Sequence, residues 1–187
     1  MNNYNNFWDI YIKKRIKIKT PDKIFDTFAD YVKKNSLILD IGCGAGIDSK
    51  ELFDRSFKVI GIDNSRKMIR YAKINNPNLD FLVMDLNNVF FSKKINSIWC
   101  RSVLQQYELS DLKSIIKSFR NDLKKEGILY FSIPIIDGRS KERFELIKTN
   151  EFKLSDILNI VERDFQVMKI IIEKCNYSWY NFFCKGF

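Results

Sequence analysis

Histidine is absent from this sequence of 187 residues, and cysteine, glycine and proline are scarce, at four, seven and three residues. Without imidazole the chain lacks the side chain that most often moves protons near neutral pH, and also a frequent zinc ligand. The four cysteines lie far apart, at Cys43, Cys100, Cys175 and Cys184, and form no CxxC pair. We therefore expect no structural zinc and no histidine base.

Long hydrophobic runs are also missing. No apolar stretch approaches the roughly 20 residues that a membrane-spanning helix needs. The first ten residues, MNNYNNFWDI, lack the basic and then apolar layout of a signal peptide. These absences predict a reduced, cytoplasmic location and no membrane partner.

The sequence does contain enough apolar material for one core, since 45% of its residues are hydrophobic. A chain of this size is predicted to form a single domain over residues 1–187, with residues 1–20 as an N-terminal lid or cap. Lys and Arg number 32 and Asp and Glu 23, a net charge of +9 that is compatible with an acidic or phosphate-bearing partner such as nucleic acid. Because the lysines are scattered along the whole chain, this charge is more typical of an ordinary solvated surface.

From Ser36 onward, short β-rich apolar runs alternate with amphipathic stretches, which is the pattern of parallel βαβ units. This pattern predicts seven strands: Leu37–Ile41, Lys58–Ile62, Asp80–Met84, Ile95–Cys100, Gly127–Ile133, Phe165–Glu173 and Trp179–Gly186. It also predicts four helices: Ile47–Arg55, Arg66–Asn75, Leu109–Lys124 and Lys153–Glu162. A further helix, Lys23–Lys33, is predicted before the sheet, where Thr-Pro-Asp at positions 20–22 suits a helix start. For the first helix we expect Thr20 as the cap and Pro21 at the first helical position.

The last two predicted strands are separated by only a few residues around Cys175. This distance is too short for the crossover helix that joins parallel neighbours, so the two strands should form an antiparallel hairpin. The predicted fold class is therefore α/β, with a doubly wound, seven-stranded, mostly parallel sheet that has a C-terminal antiparallel hairpin.

The segment Leu39–Gly46, Leu-Asp-Ile-Gly-Cys-Gly-Ala-Gly, ends the first strand, turns and opens a helix. Alternate glycines let the backbone adopt unusual torsion angles and approach a ligand, while the helix start offers free N–H groups. A dinucleotide fingerprint would place its third glycine at position 47, where this chain has Ile47. The segment predicts a nucleotide-like ligand, with a simple tight strand-to-helix connection as the alternative.

Two more predicted strands end in acidic residues. Asp63 ends the second strand about twenty positions beyond the glycines, and Asp85 follows the third. Open α/β sheets bind their ligands at this carboxyl edge, where a carboxylate at Asp63 can accept both hydroxyls of a ribose. The alternative for Asp63 is to cap the next helix, a role that Ser65 could equally fill.

Together these residues resemble motif I and the acidic strand ends of the class I S-adenosylmethionine-dependent methyltransferases, a Rossmann-like family whose sheet ends in such a hairpin. The resemblance is most specific over Leu39–Gly46 and implies S-adenosylmethionine as the cofactor. It implies that Asp40 lies near the methionine amino group, Asp63 on the ribose and Asp85 on the adenine amino group. The cofactor-binding set that it implies is Asp40, Gly42, Cys43, Gly44, Gly46, Asp63, Asn64, Met68, Asp85, Leu86 and Arg101.

The segment Cys100–Tyr107 follows the fourth strand, and in this family it lies beside the transferable methyl group. It lacks the Asn/Asp-Pro-Pro-aromatic motif of the enzymes that methylate amino groups of nucleic acids, and no proline precedes Cys100 as in the cytosine-C5 enzymes. The acidic metal-binding set of catechol-type O-methyltransferases is missing too, so we expect no divalent metal ion. Many small-molecule members carry histidines where this chain has two glutamines.

By the same resemblance, four side chains face the acceptor: Arg101, Gln105, Gln106 and Tyr107. We take the last three as the candidate catalytic residues, and Tyr107 or Glu108 as the candidates for a general base if the acceptor needs one. An ordinary surface helix start is the alternative for this segment.

Two segments outside the predicted strands and helices carry aromatic or basic side chains. Phe7, Trp8 and Tyr11 could cover the ligand as a lid, or hold the first helix to the core. Arg15 could pair with the methionine carboxylate, with Lys13 and Lys14 as competitors. The stretch Pro134–Phe152 offers anion contacts from Arg139, Lys141, Arg143 and Lys148.

The function predicted from these observations is metal-independent, in-line methyl transfer to a small-molecule acceptor, because the core fold uses almost the whole chain and leaves no recognisable RNA-binding module. An RNA methyltransferase is the second hypothesis, supported by the basic stretch after Pro134. A catalytically silent family member that binds a partner protein is the third.

Overall fold

The computed structural model describes residues 19–86, 94–135, 150, 152–174 and 178–187. The helices are α1 Asp22–Tyr31, α2 Ile47–Asp54, α3 Arg66–Asn75, α4 Leu109–Asp122 and α5 Leu154–Val161, with a one-turn 3-10 helix at Leu104–Gln106. The strands are β1 Leu37–Ile41, β2 Lys58–Asp63, β3 Asp80–Val83, β4 Ile95–Arg101, β5 Leu123–Ile135, β6 Phe165–Lys174 and β7 Ser178–Gly186. Within these parts of the chain, no helix has the length and apolar composition needed to cross a membrane.

The seven strands form one sheet in the order β3-β2-β1-β4-β5-β7-β6. Strands β1 to β5 are parallel to one another, and β7 is antiparallel to both β5 and β6. The predicted doubly wound sheet and its C-terminal hairpin are confirmed. Because the strand order reverses between β1 and β4, the carboxyl ends of these strands border the crevice where open α/β sheets bind ligands.

Successive side chains of the central strands point to opposite faces of the sheet, so the core has two halves. On one face, Trp99 of β4 stacks on Phe25 of α1 with ring centroids 4.9 Å apart, and Phe28 meets it edge-on at 5.1 Å. On the other face, Ile98 and Cys100 belong to the cluster that α4 and α5 cover. Burial on both faces explains why these strands are apolar runs without a polar side.

The boundary between α4 and β5 differs from the prediction. The helix ends at Asp122 instead of Lys124, and the strand begins at Leu123 instead of Gly127. The reason is tertiary, because buried Leu123 pairs with Ile95 of β4 before the register shifts. Glu126 adopts a left-handed φ of 60° within this irregular stretch.

The predicted cap of α1 was wrong. Pro21, and not Thr20, is the N-cap residue, and the helix begins at Asp22 and ends at Tyr31, two residues before the predicted end. The Thr20 hydroxyl instead donates a hydrogen bond of 2.8 Å to Oδ1 of Asp48 in α2. This contact ties the start of α1 to the helix that follows the glycine turn.

Candidate active site

The glycine turn after β1 contains three left-handed residues, with φ of 67° at Gly42, 53° at Gly44 and 77° at Gly46. A Cβ atom on Gly42 would lie 2.3 Å from the Val103 side chain, and one on Gly46 would lie 2.8 Å from the Phe81 ring. A Cβ atom on Gly44 would meet nothing within 4 Å. The outer two glycines thus allow close packing of the protein against itself, while the middle one faces open space where a ligand can approach.

Asp63, at the end of β2, is fixed by two backbone donors. Its Oδ2 accepts a hydrogen bond from Gly44 N–H at 3.0 Å, and its Oδ1 accepts one from Ser65 N–H at 2.8 Å. The helix cap is Ser65, whose Oγ accepts from Met68 N–H at 3.3 Å. Each carboxylate oxygen has a second lone pair, so Asp63 can still accept a ligand hydroxyl at each oxygen.

Asp40 lies at the bottom of the site and is 2% exposed. Its Oδ2 accepts a hydrogen bond from the Ser49 hydroxyl. Burial raises the pKa of Asp40 well above its usual range, and the negative charges of Asp48 and Asp63 raise it further. Burial also raises the pKa of Asp63, against the lowering effect of its two backbone donors. The site therefore favours a cation, whose charge would stabilise the ionised carboxylates.

Asp48 is a site residue that the sequence reasoning missed. Its Oδ1 accepts from Thr20, and its Oδ2 accepts from the Trp99 indole N–H at 3.0 Å. The one available signal was an acidic residue in the first turn of the helix after the glycines, which is also the ordinary preference of a helix start. The three carboxylates come from β1, α2 and β2 and line one pocket.

The pocket lies over the carboxyl ends of β1, β2 and β4. It is lined by eleven of the fourteen predicted site residues, namely Asp40, Gly42, Cys43, Gly44, Asp63, Asn64, Met68, Leu86, Arg101, Gln106 and Tyr107. It is also lined by residues that were not predicted, including Asp48, Ser65, Met84, Ser102 and Val103. The glycine turn, the end of β2 and the segment after β4 are thus brought together as expected.

Three predicted residues are not among the described residues that line this pocket. Gly46 packs behind the turn against Phe81, and Asp85 comes two residues after the end of β3. Gln105 is only 7% exposed, and its Nε2 donates to the Ser102 carbonyl at 2.8 Å. The Gln105 amide nitrogen thus holds the turn after β4, and the orientation of this side chain toward the acceptor stays a prediction.

The far wall of the pocket is the segment after β4. Ser102 adopts a left-handed φ of 56°, and its N–H donates to the Ser132 hydroxyl at 3.0 Å. Burial raises the pKa of the half-buried Tyr107 phenol, and the negative charge of Asp85 adds to this effect. Tyr107 is therefore protonated at neutral pH, where it can donate a hydrogen bond but is a poor base.

The described cysteines are buried thiols. Burial raises the pKa of Cys43 and of Cys100, so neither forms a thiolate at neutral pH. Cys100 is fully buried in the core and cannot attack a substrate as a thiolate does in covalent catalysis. In the described part of the chain, no group of three or more cysteine, aspartate or glutamate side chains is arranged to hold a metal ion.

Several predicted roles fall on residues outside the described ranges. These are the proposed lid residues Phe7, Trp8 and Tyr11, the cations Lys13, Lys14 and Arg15, and the basic side chains Arg139, Lys141, Arg143 and Lys148. Asn150, within the stretch Pro134–Phe152, is described. Its Nδ2 donates to the Tyr107 carbonyl at 2.7 Å and its N–H to the Gln105 carbonyl at 2.8 Å.

Residues 38–127 match the family model described as a methyltransferase domain. The ubiquinone biosynthesis O-methyltransferase of Pelagibacter ubique is 31% identical over 140 residues, which are 71% of this chain and 54% of that protein. The malonyl-[acyl-carrier protein] O-methyltransferase 2 of Coxiella burnetii is 30% identical over 149 residues, which are 67% of this chain and 58% of that protein. The chain thus spans between a half and two thirds of the length of these curated relatives.

The fold has solved counterparts. The crystal structure of an S-adenosylmethionine-dependent methyltransferase from Clostridium acetobutylicum superposes with a TM-score of 0.77, at 19% identity and with 98% of this chain and 99% of that chain covered. At this identity the likeness concerns the fold alone. The domain match, the two relatives and the strand order agree, and the chain belongs to the class I, Rossmann-like family of S-adenosylmethionine-dependent methyltransferases.

Proposed function

We propose that the chain binds S-adenosylmethionine at the carboxyl ends of β1 to β4 and transfers its methyl group to a small-molecule acceptor, without a metal ion. The observation that carries this proposal is the pairing of an open position above Gly44 with three carboxylates in the same pocket. Asp40, Asp48 and Asp63 favour a cationic ligand with a sugar, and they disfavour the pyrophosphate of a dinucleotide.

The residues of the pocket suit the ribose, the charged methionine end and the adenine of this ligand. Asp63 keeps a free lone pair on each oxygen for the two ribose hydroxyls. Asp40 and Asp48 supply negative charge for the methionine ammonium and the sulfonium. Asn64 and Met68, at the start of α3, line the pocket beside Asp63 and suit the adenine or ribose, and Leu86 suits the adenine ring.

The donor supplies an electrophilic methyl group on a good leaving group, so the protein has mainly to align the acceptor and exclude water. The segment after β4 suits this task, since Ser102, Gln106 and Tyr107 line the pocket opposite the glycine turn. With a raised pKa, Tyr107 positions the acceptor through its hydroxyl and does not act as a base. An acceptor that is already anionic or unprotonated therefore suits this site.

A small-molecule acceptor group is supported by the names of both curated relatives, a ubiquinone biosynthesis O-methyltransferase and a malonyl-[acyl-carrier protein] O-methyltransferase. It is supported as well by the use of nearly all described residues in one sheet and its helices. The RNA hypothesis rests on net charge and on a basic stretch outside the described ranges.

Donor binding is tested by isothermal titration of S-adenosylhomocysteine into the wild type, Asp63→Ala and Asp63→Asn. We expect both variants to lose affinity by about tenfold or more, since each removes a charged hydrogen-bond acceptor. Asp80→Asn, an exposed change at the opposite end of β3, is the matched control and should bind like the wild type. Unchanged affinity in both Asp63 variants would remove Asp63 from the site.

Acceptor class is tested by incubating the protein and methyl-labelled S-adenosylmethionine with a metabolite extract and, separately, with total RNA. We expect label in small molecules. Labelled RNA without a labelled metabolite would establish the RNA hypothesis instead. Donor binding without transfer to either pool would favour the silent family member.

A further inference from the structure

A polar row crosses the sheet beside the pocket, on the face that α1 covers. Arg101 of β4, Ser132 of β5 and Asn181 of β7 are register partners in adjacent strands. Ser132 and Asn181 are 1% and 0% exposed. The neighbouring row on the same face, Trp99, Tyr130 and Phe183, is wholly aromatic, so the polar groups of this row are buried beside aromatic rings and need hydrogen-bond partners.

The row holds a carboxylate in place. The Tyr130 hydroxyl donates to Asn181 Oδ1 at 2.7 Å, and Asn181 Nδ2 donates to Glu173 Oε1 at 2.8 Å. Burial raises the pKa of Tyr130 well above its usual range, so this hydroxyl keeps its proton. Glu173 of β6 is thereby oriented toward Arg101.

The Arg101 guanidinium has unused hydrogen-bonding capacity. Its terminal nitrogen lies 3.8 Å from Glu173 Oε2, which is beyond hydrogen-bonding distance. Its Nε is buried and has no hydrogen-bond partner among the described residues. A buried guanidinium N–H without a hydrogen-bond partner lowers the stability of the fold unless a ligand accepts a hydrogen bond from it.

The position of this guanidinium separates it from the donor half of the pocket. Glu173 lies on β6, three strands from β4, and neighbouring strands are about 4.8 Å apart. To approach Glu173, the Arg101 side chain must extend over β5 and β7, away from the glycine turn and Asp63. Arg101 nevertheless lines the pocket, at the start of the segment that lies opposite the glycine turn.

We propose that Arg101 recognises a carboxylate on the acceptor, through Nε and a neighbouring terminal N–H, and that Glu173, Asn181 and Tyr130 are positioning residues for it. This inference rests on the proposed methyl transfer. A planar guanidinium edge matches a carboxylate with two parallel hydrogen bonds. The nearby negative charge of Glu173 favours a singly charged carboxylate over a doubly charged phosphate.

The chemical class is tested with methyl-labelled S-adenosylmethionine and three aliquots of one bacterial metabolite extract. One aliquot is untreated, one has its carboxylates amidated with carbodiimide and an amine, and one is treated with phosphatase. We expect transfer to the untreated and phosphatase-treated aliquots and its loss after amidation. Transfer that survives amidation, or that phosphatase abolishes, overturns the proposal.

The residue assignment is tested with the active aliquot. Arg101→Gln should raise the apparent KM for the extract about tenfold or more. Arg101→Lys should raise the apparent KM less, since lysine keeps the positive charge but lacks the two parallel N–H donors of a guanidinium. Glu173→Gln should raise the apparent KM severalfold with kcat nearly unchanged. The matched control is Arg163→Gln, an exposed arginine just after α5 at the opposite end of the sheet, which should change neither value.

Titration with S-adenosylhomocysteine distinguishes a failure of the Arg101 assignment from a failure of the proposed methyl transfer. Arg101→Gln should bind this analogue within twofold of the wild type, and a parallel loss of analogue affinity would assign Arg101 to the donor and overturn the inference. If the wild type binds the analogue but labels no aliquot, methyl transfer itself fails and this inference fails with it.

Discussion

The three glycines of the turn have different roles, although all three have a left-handed φ. A Cβ atom is excluded at Gly42 by Val103 but enters open space at Gly44. Gly42 therefore packs against the protein, while under the proposed function Gly44 is the residue that the ligand approaches.

Gly44→Ala should fold, with a free energy of unfolding lower by about 1–2 kcal/mol because of the left-handed backbone. It should bind S-adenosylhomocysteine about tenfold or more weakly, since the added methyl group lies where the ligand approaches. Chemical denaturation and calorimetric titration measure the two effects. Gly42→Ala should lose more stability than Gly44→Ala, and wild-type affinity in Gly44→Ala would show that the ligand does not pass over this residue.

Asp40 should make folding less favourable at neutral pH. Its pKa is raised in the folded chain, so the unfolded chain releases this proton at lower pH, near its ordinary value of about 4. The contribution of Asp40 to stability thus falls as the pH rises from about 4 through the raised pKa.

Asp40→Asn removes this pH dependence and can keep the Ser49 hydrogen bond through its amide oxygen. At pH 7 and without ligand, its Tm should exceed that of the wild type by roughly 2–4 °C, which is about 1 kcal/mol in a chain of this size. The difference should vanish near pH 4, and donor-analogue affinity at pH 7 should fall. A variant that is less stable than the wild type at pH 7 would contradict this account of Asp40.

At the level of elements, Asp48 joins the segment before α1, the helix α2 and the strand β4. Trp99→Phe keeps an aromatic ring against Phe25 but removes the N–H that Asp48 accepts. We expect a loss of about 1.5–3 kcal/mol in unfolding free energy, typical of a hydrogen bond to a charged group, and a severalfold loss of S-adenosylhomocysteine affinity.

The control for this prediction is Phe28→Leu, which disturbs the packing on the same indole without touching Asp48. It should lose stability but bind the analogue normally. Equal loss of affinity in both variants would mean that packing alone, and not the placement of Asp48, controls the pocket.

The elements predicted best from the sequence are those whose signals are local. The bounds of β1 and α3 agree to the residue, because each is an apolar pattern that ends at turn residues. The start of β5 and the cap of α1 were wrong because distant partners decide them: Ile95 draws Leu123 into the sheet, and Asp48 takes the Thr20 hydroxyl.

The difference between local signals and distant contacts also explains which residues of the candidate site could be predicted. The glycine turn and Asp63 could be predicted as candidates because their spacing along the chain is itself the signal. Asp48 and the link from Arg101 to Glu173 depend on contacts between residues 28 to 72 positions apart, which no local pattern contains. The burial of Gln105 is also a tertiary effect.

At the level of the whole molecule, the negative pocket should discriminate between nucleotide ligands despite the net charge of +9. S-adenosylhomocysteine at 100 times its Kd should stabilise the protein by about 2.7 kcal/mol, because it binds only the folded state. At roughly 2–4 °C per kcal/mol for this size, the Tm should rise by several degrees.

NAD should produce no comparable shift at the same concentration, because its pyrophosphate would lie against Asp40, Asp48 and Asp63. Thermal unfolding with each ligand measures the difference. An equal shift with NAD would show that the pocket recognises adenosine alone.

The position of β7 also has a consequence for synthesis. This strand follows β6 in the chain but lies between β5 and β6 in the sheet. While a ribosome is still producing β7, the open edge of β5 exposes unpaired backbone groups beside apolar side chains such as Phe131 and Ile133, and such edges promote aggregation. A nascent chain halted before Ser178 would therefore need a chaperone, however well its first five strands had already paired.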